Sequence, residues 1–97
     1  MSSAEIAASV PPGRPIAVVG LNNLGIDWIR GEWTARIDRP EQLAAWCEAN
    51  PGGALLTDEA TLRRIRAQPE WPSERIAVVR SFDGFLLRRV HLCDIAR

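Results

Sequence analysis

Ile16-Ala17-Val18-Val19-Gly20-Leu21-Asn22-Asn23-Leu24-Gly25 is the stretch that decides the fold. Four apolar residues run without a polar break and stop at a glycine. A strand covered on both faces need show no alternation, so Ile16–Val19 reads as a buried strand. Beyond Gly20, the residues Leu21, Leu24, Trp28 and Ile29 fall near helical spacing. Asn22 or Asn23 is placed to cap that helix, and Gly31 sits where a C′ glycine would end it. Strand, glycine turn, helix is the opening of a β-α-β unit, and such units build parallel sheets.

On the N-terminal side, Ala4–Val10 is a weak helical stretch that Pro11-Pro12-Gly13 and Pro15 end firmly. On the C-terminal side, Trp33–Ile37 is β-branched and aromatic enough for a brief strand. Asp38-Arg39-Pro40-Glu41 opens the clearest helix, with proline at N1 and acids in the first turn. Leu43, Trp46 and Cys47 make its buried stripe, and Asn50-Pro51-Gly52-Gly53 terminates it. Ala54-Leu55-Leu56 is a further buried strand, with Thr57 as N-cap of a helix over Asp58–Gln68. Ile76–Val79 forms another strand, Asp83-Gly84 reads as a hairpin turn, and Phe85–Val90 returns as the last strand. The order (α)βαβαβαββ calls for a small α/β fold. Its sheet is mostly parallel or mixed, carries helices packed on it, and ends in an antiparallel hairpin. Residues 14–97 are expected to form a single α/β domain.

Composition agrees with a globular chain: of 97 residues, 46% are hydrophobic and 25% charged. A formal net charge of zero gives no global attraction to nucleic acid, and no nucleic-acid partner is expected. Residues 1–59 hold four arginines and eight acids, and residues 60–97 hold eight arginines and four acids. Pairing between the halves within the fold is the simpler account of that asymmetry. Two cysteines, Cys47 and Cys93, lie in no metal-ligand spacing and read as buried free thiols, with a single bridge in an oxidising compartment as the alternative. The longest apolar runs are a few residues, too short to span a bilayer.

Side-chain catalysis needs a nucleophile, a base or a metal cluster. No CxxC, HExxH or GxSxG is present, and no catalytic or metal-binding residue is assigned. His91, the single histidine, reads as a surface residue near the C-terminus. Cys93 follows two residues later on the same face of an extended segment, with no third group to orient the pair. The first βα turn resembles a phosphate-binding loop in its placement, which makes Gly20, Asn22, Asn23 and Gly25 candidates. Asp38, after the second strand, stands where a ribose-binding acid would. The turn lacks GxGxxG and the Lys-Ser/Thr of a P-loop, so no cofactor is expected. Of the four tryptophans, Trp28 and Trp46 fall on apolar helical faces, whereas Trp33 and Trp71 lie in or beside proline- and glycine-rich connections. Trp33 and Trp71 are therefore candidates for an exposed contact surface. Arg63, Arg64 and Arg66, with Arg88 and Arg89, could meet anionic lipid headgroups.

Arg14–Val90 resembles the extramembrane C-terminal domain of polytopic lipid-linked sugar transferases. These include the dolichyl-phosphate-mannose protein mannosyltransferases and the bacterial aminoarabinose transferases. The resemblance lies in an ordered succession of pieces. Pro15-Ile16-Ala17-Val18-Val19-Gly20 leads to an apolar helix ending Trp28-Ile29-Arg30-Gly31. Asp38-Arg39-Pro40-Glu41-Gln42-Leu43-Ala44-Ala45-Trp46 follows, then Gly53-Ala54-Leu55-Leu56-Thr57-Asp58-Glu59. Ile76-Ala77-Val78-Val79-Arg80 and Phe85-Leu86-Leu87-Arg88-Arg89 close it. Such domains often carry tyrosines in the first helix, where this chain has Trp28 and no tyrosine anywhere.

The resemblance implies a non-catalytic domain on the extracytoplasmic (periplasmic) face of a membrane glycosyltransferase that uses a polyprenyl-phosphate sugar. Residues 1–13 would be the linker or short helix leaving a membrane segment. Its implied partners are the transmembrane part of the same parent protein, with the membrane surface or the acceptor substrate as further contacts. The alternatives are a free-standing nucleotide-binding module built on Gly20–Gly25 and Asp38, or a protein-interaction module using Trp33 and Trp71.

Overall fold

The structure is a computed structural model, and it describes residues 3–21, 34–85 and 88–96. Helix α1 (Ser3–Ala8) leads into strand β1 (Ile16–Val19). Strand β2 (Ala35–Ile37), helix α2 (Pro40–Ala49), strand β3 (Ala54–Asp58) and helix α3 (Glu59–Ala67) follow. A 3-10 turn (Ser73–Arg75) then precedes strands β4 (Ile76–Phe85) and β5 (Arg88–Ile95). The helix expected from Leu21 to Arg30 lies outside the described residues beyond Leu21.

The five strands form one mixed sheet in the order β2-β1-β3-β5-β4. β1 runs parallel to both neighbours, with Val18 opposite Arg36 on one side and Leu56 on the other. β5 is antiparallel to β3 and to β4. The closing hairpin therefore inserts its second strand into the sheet and leaves its first strand at the edge. Side-chain chemistry explains the choice. Val90, Leu92, Cys93 and Ile95 of β5 are all buried, which needs cover on both faces and a neighbour on both sides. In β4, Val78 and Val79 are the exposed large hydrophobics among the described residues. Val79 is the extra residue where the β4–β5 register shifts, and Arg80 follows it. A bulge and a charge on an edge strand both discourage pairing with another chain.

Alternate residues of each strand enter different cores. Ala17, Val19, Leu55, Cys93 and Ile95 pack with Leu43 and Cys47 of α2 and with Leu62 and Ile65 of α3. Ile16, Val18, Ala54, Leu56, Val90 and Leu92 face the other way and pack with Ile6, Ala7 and Val10. The N-terminal helix is thus bound into the second core, and Arg80 extends from β4 to the Ser9 hydroxyl at 2.8 Å beside it. Gln42 closes the start of α2 by accepting the Asp38 and Arg39 N–H groups, at 2.9 and 3.1 Å. Cys47 and Cys93 are buried free thiols.

Two local expectations are corrected. Thr57 does not cap α3: it is the fourth residue of β3, fully buried, and its hydroxyl donates to the Val19 carbonyl at 2.9 Å. The cap is Asp58, whose carboxylate accepts the Thr61 N–H at 2.8 Å. Asp83-Gly84 is not the hairpin turn either. β4 continues through both residues to Phe85, which pairs with Arg88, and a second register shift falls between Phe82 and Phe85. A glycine inside a strand often marks such an irregularity.

Candidate functional site

In an open α/β sheet, the carboxyl ends of the parallel strands are where loops converge on a crevice. Here that end gathers Gly20 after β1, Asp38 after β2, and Asp58 and Glu59 between β3 and α3. Because β5 runs the opposite way, its beginning, with Arg89 and His91, arrives at the same end. Ser81 of β4 stands directly opposite His91.

Three of these side chains make one hydrogen-bonded trio. The Ser81 hydroxyl lies 2.8 Å from His91 Nδ1. His91 Nε2 is paired with the Glu59 carboxylate. The imidazole is buried, with its side chain 7% exposed, while Glu59 is half-buried and Ser81 reaches solvent. Hydrogen bonding from His91 pulls the Glu59 carboxyl below the ordinary glutamate range, against the opposing effect of desolvation; the charges of His91 and Arg63 add to the lowering. The expectation that His91 is a surface residue without an orienting partner is therefore corrected: both ring nitrogens are held.

Around the trio lies a short charge network. Arg63 Nε donates to Glu59 Oε1 at 3.2 Å, one helical turn on. Arg89 Nε donates to Asp83 Oδ1 at 2.7 Å across the hairpin, and that bond is the main reason the guanidinium is held more firmly protonated than usual. Neither Ser81 nor Glu59 stands out in the sequence. A two-residue turn at Asp83-Gly84 would set His91 opposite Ile76. The true register sets it opposite Ser81, so locating the trio required the position of the turn.

In chemical terms, a serine, an imidazole and a carboxylate in a row resemble an acyl-transfer relay with the two ring nitrogens exchanged. That chemistry also needs donors placed for an oxyanion and a hollow for the substrate. Among the described residues a polar depression lies at the opposite end of the sheet, beside Arg14, Gly52, Asp94 and Ile95. There Arg14 donates to the Gly52 and Gly53 carbonyls at 2.9 and 3.0 Å and pairs with Asp94. Among the described residues no group of three or more His, Cys, Asp or Glu side chains is placed to hold a metal ion. Burial pushes the Cys93 thiol up to about 11, and raises Cys47 as well, so neither is a ready nucleophile.

The remaining candidates separate as follows. Gly20 has φ +72°, and a Cβ there would lie 2.1 Å from Thr61 Oγ1. The need for glycine is thus explained by the chain's own α3. Asp38 is exposed after β2. Asn22, Asn23, Gly25, Trp28 and Trp33 lie outside the described residues. Trp71 is corrected from exposed to buried: it is 5% exposed, it packs in the core beneath α2 and α3, and its indole N–H donates to Gln68 Oε1 at 3.1 Å. Arg63, Arg64 and Arg66 are exposed on α3, with Arg64 6.0 Å above the Trp71 ring. Trp46 is half-buried against the same core.

No family description, no curated protein and no solved structure matches this chain. Among the described residues no helix is long and apolar enough to cross a membrane.

Proposed function

We propose that this chain is the extramembrane, non-catalytic C-terminal domain of a membrane glycosyltransferase that draws its sugar from a polyprenyl phosphate. Its work there is to help recognise the acceptor or to cover the mouth of the active site, on the extracytoplasmic face. The reading is carried by the ordered succession of segments from Arg14 to Val90 that resembles such domains. The α/β body that those segments build is in keeping with it. So is the internal engagement of the most reactive groups, since His91 is held at both nitrogens and both thiols are buried. The exposed arginines of α3 would be available to a membrane surface or to the membrane part of the parent.

Antibodies raised against the 97-residue chain test this reading in fractionated cells of its source. The expected band is a much longer protein in the membrane fraction, with apolar spans of about 20 residues encoded upstream in the same reading frame. A soluble product of this chain's own length would overturn the proposal.

A further inference from the structure

We propose that Glu59, His91 and Ser81 form a proton-operated latch that fastens the first turn of α3 to the β4–β5 hairpin. The latch is tight while Glu59 is ionised and weakens when Glu59 takes a proton.

His91 lies under the helical layer, and each of its ring nitrogens meets a different element, α3 through Glu59 and β4 through Ser81. With neutral His91, Nε2–H donates to the Glu59 carboxylate and Nδ1 accepts from the Ser81 hydroxyl. With a second proton on the ring, Nδ1–H donates and the Ser81 hydroxyl turns to accept. A hydroxyl is the one neutral partner that serves both states without moving its oxygen. The imidazole therefore keeps two hydrogen bonds whether or not it is charged. Glu59 has no such freedom, because only its ionised form both accepts from Nε2–H and balances a charged ring.

The groups facing the trio reinforce that asymmetry. From α3, Arg63 donates to Glu59, and from β5, Arg89 lies near enough for Glu59 to favour its charged form. From β4, Asp83 is engaged by Arg89. From β3, Thr57 stands opposite His91 in register with its hydroxyl committed to Val19, and the Asp58 carboxylate caps Thr61. The charges that act on Glu59 are those of His91 and Arg63, so a proton there leaves them without their anion.

The sign follows from linkage. A carboxyl whose folded pKa is depressed contributes stability above its unfolded range and loses it as pH falls through the folded value. Thermal unfolding of the 97-residue chain and of Glu59→Gln across pH 3 to 8 reads this directly. Glutamine keeps a carbonyl to accept from Nε2–H, so a purely structural hydrogen bond would leave the two curves separated by a constant amount. The latch instead requires the gap in melting temperature to be open at pH 7 and to close toward pH 3, the other carboxylates acting alike in both chains. A constant gap, or no gap, would overturn the proposal. Long-range proton–nitrogen spectra of the wild-type imidazole give a second reading that needs no variant. At alkaline pH the proton must sit on Nε2; a ring protonated on Nδ1 would overturn the latch even if Glu59→Gln failed to fold.

Discussion

The two ends of the sheet are laced by different kinds of side chain. At the end where β1 and β3 begin, the Arg14 guanidinium forks to the carbonyls of Gly52 and Gly53 and to the Asp94 carboxylate. At the end where they finish, the His91 imidazole joins Glu59 and Ser81. Both tie together segments far apart in the chain. A guanidinium keeps its charge throughout the physiological range and binds carbonyls in a fixed fork, whereas an imidazole gains and loses a proton. One end is a permanent strap around the 50–53 turn, and the other can respond to pH. The same sheet therefore carries a fixed end and an adjustable one.

The largest expected effect probes the strand that joins the two ends. Cys93 lies on β5 between His91 and Asp94, with its thiol pushed up to about 11. In the folded chain its alkylation by iodoacetamide near neutral pH should be about a hundredfold slower than in urea, from thiolate fraction alone. Rapid labelling of the folded chain would mean that β5 opens readily, and the contrast between the ends would lose its basis.

Next is Gly20→Ala, at the adjustable end. It forces a Cβ against Thr61 at positive φ and should cost about 3 kcal/mol in urea unfolding. Adding Thr61→Ala should return part of that cost. A neutral Gly20→Ala would show that the loop after β1 relaxes away from α3.

At the fixed end, Arg14→Met keeps the side-chain length and removes the donors. It should cost about 2 kcal/mol, equally at pH 6 and pH 9. A pH-dependent loss across that range would erase the distinction between the ends. Asp58→Ala, which leaves the Thr61 N–H without its cap, should cost about 1 kcal/mol. The smallest effect belongs to Arg89→Gln, which breaks an exposed pair with Asp83 and should barely move the urea midpoint, the shift diminishing further with salt.

Much of the fold was legible because the strands are short apolar runs, and β1 and β3 are buried on both faces. Ile16–Val19, Ala54–Leu56 and Ile76–Val79 are such runs, and the helix from Pro40 announces itself by proline at N1 and its stripe of Leu43 and Cys47. Two readings failed for a common reason. Thr57 and Asp58 are both good caps, and only the pairing of β3 with β1 and β5 places Thr57 inside the strand. Asp83-Gly84 has turn chemistry, but cross-strand pairing extends β4 past it. Trp71 failed differently: its neighbours Pro69 and Pro72 mark a connection, and that connection folds down over the core.

By itself, the sequence determined the α/β class, the alternation of elements and the absence of the common catalytic signatures, since these follow from local hydrophobic runs, caps and motif spacing. The tertiary structure alone decided that β5 lies inside the sheet, that β4 forms its edge, and that Ser81, His91 and Glu59 meet. Those outcomes depend on hairpin register and strand order, which are set by which surfaces can be buried together across the whole chain, and no local window of residues contains that choice.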